Sequence, residues 1–327
     1  MNAAFAFLLQ AASDVPSDTY FTQPADWAWF IIPYFFIGGI AGGAFFIAAV
    51  LDLVGRPEDR PVVRWGYVVA AAGSVLSGLL LVLDLKRPLR FWHMLIRSEE
   101  FPAPILKLWS PISVGSWALL LFGAVAMAMA LAVLAEDERI RWRWPALLRG
   151  GVLTPVLAIA GALLGLFFAS YTGVLLSVTN GPIWGDSTLI GPLFVVSGVS
   201  TAAATLVLLG TTGEERAPQS VTHRLTDYDS WLLIAELVVL AVFLVSLGPV
   251  AQRWLSVWGA VLLLGVVGLG ILVPLALHYR PGWFRGRLGA RPVMTAAVLV
   301  LVGGFLLRVV VLLASETVDR FPFAGSM

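Results

Sequence analysis

The chain has 327 residues, 59% of them hydrophobic and 13% charged, and a formal net charge of +1. Its mean hydropathy is +0.89, which excludes an ordinary soluble domain and points to an integral membrane protein. There is no cysteine, so disulfides, thiolate metal sites and a cysteine nucleophile are excluded, and no basic tract suggests nucleic acid.

Residues 1–26 read as an N-terminal segment outside the membrane. Its first twelve residues are apolar but lack a basic start, so a cleaved signal peptide is not expected. Eight apolar segments then follow, near 27–54, 62–83, 113–135, 150–177, 189–210, 231–248, 255–278 and 293–314. Each is long enough to cross about 30 Å of hydrocarbon at roughly 1.5 Å per residue. Backbone polar groups in lipid must be satisfied within the segment, so all eight are expected to be helices and the protein all-α.

The first segment carries Tyr34 and then Gly38, Gly39, Gly42 and Gly43. A face of small residues either lets a neighbouring helix approach closely or opens a slot for a flat ring. The second segment exits through Asp84 into LKRPLRFWH, which contains His93. Asp84 either meets Lys86 and Arg87 or serves as a proton acceptor for a bound ligand. The connection 84–112 carries five basic residues: Lys86, Arg87, Arg90, Arg97 and Lys107, partly offset by Glu99 and Glu100.

The fourth segment contains Tyr171 about two turns before it ends. A polar turn with Asn180, Gly181, Pro182, Trp184 and Asp186 leads into the fifth. At the start of the sixth, Asp229 and Glu236 are seven residues apart, two turns along one helical face. Carboxylates within apolar sequence suggest function by default; a structural bond to Ser, Thr or Arg is the alternative to a proton pathway. With the sixth segment starting near 231, Glu236 is expected near the inner side, away from the other polar residues. Arg308 lies inside the eighth segment, where an arginine needs a partner, and Asp84 is the candidate by depth.

Lysine and arginine counts set the orientation. With the N-terminus outside, the inner connections together with Arg64 carry 13 basic residues and the outer ones 7. Both termini are therefore expected outside, which gathers Tyr34, Asp84, Tyr171, Trp184 and Arg308 towards the outer side. A haem of b type would need two axial histidines on facing spans, and only His278 lies at a segment end. Zinc, phosphate-loop and triad patterns are also missing.

The ordered set Tyr34…GGIAGGA, LVLDLKRPLRFWHML, SPISVGSWALLLFG, SYTGVLLSVTNGPIW, LFVVSGVSTAAA, Asp229…Glu236 and LVGGFLLRVVVL resembles the NrfD/PsrC family, membrane subunits of polysulfide-reductase-type respiratory complexes. The resemblance spans nearly the whole chain. It implies eight transmembrane helices in two four-helix bundles, 27–177 and 189–314, within one membrane domain of the bacterial or archaeal cell membrane.

It also implies a site for menaquinone or ubiquinone near the outer face, with no haem or metal in this chain. The implied partners are a four-cluster ferredoxin-like iron–sulfur subunit, docked on the 84–112 connection, and a molybdopterin catalytic subunit. By motif, Asp84 and Arg308 are the catalytic pair handling the proton. Tyr34, Tyr171, Trp184 and His93 are the candidate quinone contacts, and Asp229 and Glu236 the proton pathway. The helix-1 histidine of some members has no counterpart, so either Tyr34 takes its place or the head group sits differently. A secondary transporter or proton channel without redox work, and a passive anchor, are the alternative functions.

Overall fold

A computed structural model describes residues 27, 29–85, 87–97, 101–179, 183–212, 216–279 and 292–319. The 1–26 segment, Lys86, Glu99, Glu100, Asn180, Gly181 and Pro182 lie outside the described residues. Eight helices are long and apolar enough to cross a membrane, and no strand occurs among the described residues. They are α1 (Ile31–Val54), α2 (Arg60–Asp84), α3 (Pro111–Glu136), α4 (Leu153–Ser177), α5 (Ile190–Thr212), α6 (Gln219–Ser246), α7 (Val257–Tyr279) and α8 (Pro292–Asp319).

Seven of these match the expected segments to within a few residues. The exception is α6, which begins at Gln219, twelve residues before the apolar run at Trp231. The stretch 219–230 is polar in side chains, but its backbone continues the helix unbroken, and a hydropathy reading cannot see that. Glu236 is thereby moved from the edge of a span to its middle.

The helices form two closed rings. In the first, α1 packs on α2, α2 on α3, α3 on α4 and α4 on α1. In the second, α5 packs on α6, α6 on α7, α7 on α8 and α8 on α5. Contacts of α1 and α4 with α5, and of α1 with α8, join the rings. The small-residue face of α1 both closes the first ring and makes this junction. A Cβ at Gly42 would come within 2.2 Å of the Gly165 carbonyl oxygen on α4, and one at Gly43 within 2.7 Å of the Gly198 oxygen on α5. These glycines are occupied by neighbouring backbone, so the close-packing reading holds and no slot for a ring opens there.

One end of the first ring is held by charges. Arg149, on the short turn Trp144–Arg149, donates through Nη2 to Asp52 at 2.7 Å and through Nε to Glu136 at 2.8 Å, and also pairs Asp52 through Nη1. Arg60 and Arg64 meet Asp137 at 3.0 and 3.2 Å, and Tyr67 donates to Asp52 at 2.9 Å. Arg224 of α6 clamps Glu58 at 2.9 Å and also pairs Asp59. We call this the Arg149 end and the opposite one the Tyr171 end.

Two features depart from ideal helix. Val261–Leu272 of α7 is wound as a π-helix just before Pro274, which has no N–H to donate. Pro155 sits in the first turn of α4, where a missing N–H costs nothing.

Candidate functional site

At the Tyr171 end, the interior of the first ring gathers polar groups among aromatic rings. Tyr34 is fully buried beside Phe35 and Phe168, with ring centroids 5.3 and 6.1 Å away. It lies within electrostatic reach of Tyr171. Its hydroxyl makes no hydrogen bond among the described residues. One turn on, a Cβ at Gly38 would touch the Phe168 ring at 3.0 Å and lie 3.7 Å from Ser77 Oγ. Ser77 is fully buried and its hydroxyl has no partner among the described residues. Such orphaned buried hydroxyls are rare.

Tyr171 lies against Gly115, whose hydrogen-only side chain makes room for the phenol: a Cβ there would fall 2.3 Å from the Tyr171 oxygen. The Tyr171 hydroxyl donates to the Pro111 carbonyl at 2.7 Å, at the start of α3. That carbonyl takes the proton that a donor role toward a ligand would need. Asp84 ends α2, is partly buried, and has no ion pair among the described residues. His93 stacks on Trp92 at 3.8 Å on the turn Pro88–Met94.

Below the ring mouth the core is aromatic. Phe168 stacks on Phe122 at 5.6 Å, Phe122 meets Phe45 at 5.8 Å, and Phe45 meets Tyr67 at 5.0 Å, reaching the Asp52 network at the Arg149 end.

The second ring is different. Arg308 is completely buried within α8. Nη1 donates to Ser197 Oγ at 2.5 Å and to the Gly304 carbonyl at 2.8 Å; Nη2 donates to the Phe194 carbonyl at 3.3 Å. The guanidinium also lies over the Phe194 ring, 5.0 Å from its centroid. Glu236, on α6, is also buried in this ring and is the carboxylate whose charge bears on Arg308, without a direct salt bridge between them. Asp229 accepts from Ser200 at 2.7 Å, and the neighbouring Ser230 meets His278 Nδ1 at 2.9 Å.

These contacts bear on three expectations. The Asp84–Arg308 pair is not formed: Arg308 sits on α8 in the second ring, bound to α5, whereas Asp84 ends a helix of the first ring. Glu236 is not remote from the arginine but lies buried in the same ring, within reach of its charge, because α6 starts earlier than hydropathy indicated. The ring contacts of Trp184 reach the Tyr34–Tyr171 cluster indirectly, through Trp27 at 5.4 Å and Trp27 on Phe35 at 6.3 Å, while its Nε1 donates to the Val311 carbonyl at 2.8 Å. Asp186 accepts from the Ile183 N–H at 2.9 Å and so holds the turn, where Ile183 has φ of 73°.

Sequence reading named no serine, yet Ser77, Ser197 and Ser200 are central to both clusters. The available signal was hydroxyls at interior positions of apolar runs, GSVLSG and VVSGVST.

The connection between α2 and α3 is folded onto the Tyr171 end. Arg97 N–H donates to the Ala103 carbonyl at 2.9 Å and Ile105 N–H to the Leu95 carbonyl at 2.7 Å. Trp117 Nε1 pins it through the Ile105 carbonyl at 2.7 Å. It presents exposed Leu89, Phe91, Phe101, Leu108 and Trp109 between Arg87, Arg90, Arg97 and Lys107.

The family described as polysulphide reductase, NrfD, matches residues 19–319. The protein is 27% identical over 310 residues to the C subunit of polysulfide reductase from Wolinella succinogenes, covering 89% of its own length and 94% of that relative. It is likewise 27% identical over 321 residues to protein NrfD of Escherichia coli strain K12, covering 89% and 95%. A protein NrfD homolog of Haemophilus influenzae is 24% identical over 308 residues, covering 89% and 94%.

Proposed function

Because the chain belongs to the polysulphide reductase NrfD family, we propose that it is the quinone-reactive membrane subunit of a respiratory oxidoreductase complex. It exchanges electrons between menaquinone or ubiquinone and an iron–sulfur partner. The carrying observation is the buried Ser77 hydroxyl at the Tyr171 end, which meets no described partner, inside an apolar ring that also holds the buried side chain of Tyr34. A buried donor without a partner costs about 1–3 kcal/mol. A ligand with carbonyl or hydroxyl oxygens removes that cost, and a flat apolar ring suits the Phe35 and Phe168 walls.

The quinone supplies two-electron, two-proton chemistry. Tyr34 is the donor to a ring carbonyl, since its proton is uncommitted. Tyr171, whose proton is held by Pro111, accepts from a quinol hydroxyl. Asp84, at the mouth, relays protons between the site and water. The chain has no cysteine to hold a cluster, so electrons pass through the partner.

The basic and aromatic connection 87–109, with Arg90 and Trp109 exposed, is the docking surface for a four-cluster ferredoxin-like subunit, itself joined to a molybdopterin catalytic subunit. This face, and both termini, lie on the outer side of the cell membrane. Asp229, Glu236 and Arg308 of the second ring form the proton pathway.

A secondary transporter is favoured by broken helices at matching positions in both halves. Among the described residues the π-wound stretch of α7 has no counterpart in the first ring.

Quinone binding by the purified protein tests the proposal, wild type against Tyr34→Phe and Ser77→Ala. Loss of one hydrogen bond should weaken binding about fivefold to tenfold with thermal stability retained. No quinone binding by the wild type, alone or assembled with its partners, overturns the reading in favour of a channel or a passive anchor.

A further inference from the structure

We propose that the arginine–tryptophan turn between α3 and α4 is a binding site for the headgroups of anionic phospholipids. The sequence there is ERIRWRWPALLRG, residues 138–150. It joins two membrane-spanning helices, one ending at Glu136 and the next starting at Leu153, so it lies at headgroup depth. Tryptophan at that depth keeps its ring against acyl chains and its N–H in the polar layer.

Trp142 and Trp144 are 62% and 61% exposed, and Leu147 and Val152 are more exposed still. Four large apolar side chains on one short connection form a surface that water does not favour and lipid does. Arg139, Arg141 and Arg143 alternate with them, all exposed, against one local carboxylate, Glu138.

The structure separates Arg141 and Arg143 from the rest of the basic residues at this end. Arg149, Arg60, Arg64 and Arg224 are each consumed by carboxylates of the helix ends: Asp52, Glu136, Asp137, Glu58 and Asp59. The carboxylates that would otherwise neutralise the turn are therefore taken. The guanidinium groups of Arg141 and Arg143 make no ion pair or hydrogen bond with a described residue, and their donors remain available to phosphate.

The same network makes the turn a platform rather than a loose loop. Arg149 is only 8% exposed at its side chain, Pro145 is buried, and Thr154 donates to the Leu148 carbonyl at 3.2 Å. A planar guanidinium binds phosphate oxygens in pairs, and an anionic surface attracts each such cation without dehydrating it fully. Charge, depth and apolar exposure thus match one occupant: the phosphate of an anionic lipid whose chains lie beside Trp142 and Trp144. A docked protein would match the charge but not the depth.

Thermal unfolding in neutral detergent, with phosphatidylglycerol or phosphatidylcholine of identical chains added, tests the site. The wild type should be stabilised by several degrees more by phosphatidylglycerol. Arg141→Gln with Arg143→Gln should keep the unfolding temperature seen in phosphatidylcholine and lose that increment. Its apparent affinity for phosphatidylglycerol should fall about fivefold for each arginine removed.

Arg141→Lys with Arg143→Lys should retain part of the preference, because the charge remains while the paired geometry is lost. Native mass spectrometry of lipid retained by each variant gives the same comparison even where unfolding is irreversible. Equal stabilisation of the wild type by both lipids overturns the proposal, as does an undiminished increment in the double glutamine variant. Inorganic phosphate that reproduces the increment overturns it in favour of a free-anion site. Loss of the increment only when an assembled partner subunit is present reassigns the face to protein docking.

Discussion

The two rings solve the same burial problem with opposite materials. The first fills its interior with Phe45, Phe122, Phe168, Tyr34 and Tyr67 and keeps its ion pairs at one end, among Asp52, Arg60, Glu136, Asp137 and Arg149. The second keeps Arg308, Glu236 and Asp229 in its interior, linked by Ser197 and Ser200. An aromatic interior is dry and transmits no charge, but its mouth can hold a flat apolar ligand by two or three hydroxyls. A charged interior is costly to build and is retained where ions or protons must be stabilised away from water. The rings meet at Gly39, where a Cβ would lie 3.3 Å from Arg308 Nη2 and 3.3 Å from Gly198 Cα. The helix that carries Tyr34 therefore also walls the arginine.

Removing one member of the buried charge pair should have the largest effect. Arg308→Leu leaves the buried Glu236 without the positive charge that bears on it and should destabilise the protein by about 3–5 kcal/mol, read as the unfolding temperature in detergent. Arg308→Leu combined with Glu236→Gln should recover much of that loss. If the double variant is no more stable than the single, the two groups are not a pair and the charged interior of the second ring is not held as a balanced unit.

The closure of the first ring comes next. Gly42→Ala drives a methyl group into the Gly165 carbonyl and should cost about 1–3 kcal/mol. Gly78→Ala is the control, since its nearest neighbour is a Leu119 methyl at 3.9 Å, and it should be close to neutral. Equal losses for the two would mean that the α1–α4 contact does not hold the first ring.

Smaller effects separate structure from ligand binding at the Tyr171 end. Tyr171→Phe loses the bond to Pro111 and should cost about 1 kcal/mol together with weaker quinol binding. Ser77→Ala should leave stability unchanged or slightly raised, because the hydroxyl it removes has no described partner to lose, while still weakening quinone binding. A clear loss of stability in Ser77→Ala would show that the serine serves the fold instead.

Sequence alone established the class and the count of helices. Eight long apolar runs admit no other way to satisfy their backbones in lipid, so the bounds of seven spans were legible to within a few residues, and the ordered motifs carried the family resemblance. It also flagged Tyr34, Asp84, Tyr171, Asp229, Glu236 and Arg308 as out of place in such runs. What it could not supply was their pairing. Depth along a helix is readable from position, but which helix faces which depends on ring closure, and that depends on backbone contacts such as Gly42 on Gly165 and Gly43 on Gly198.

Depth alone therefore pairs Arg308 with Asp84, whereas the carboxylate that shares its ring and bears on its charge is Glu236. The polar start of α6 hid Glu236's true depth, since hydropathy records side chains while a helix is held by its main chain. Ser77, Ser197 and Ser200 were unreadable for a related reason. A serine in an apolar run looks the same whether it bonds its own helix, bridges two charges or waits for a ligand, and only the packed neighbours distinguish the three.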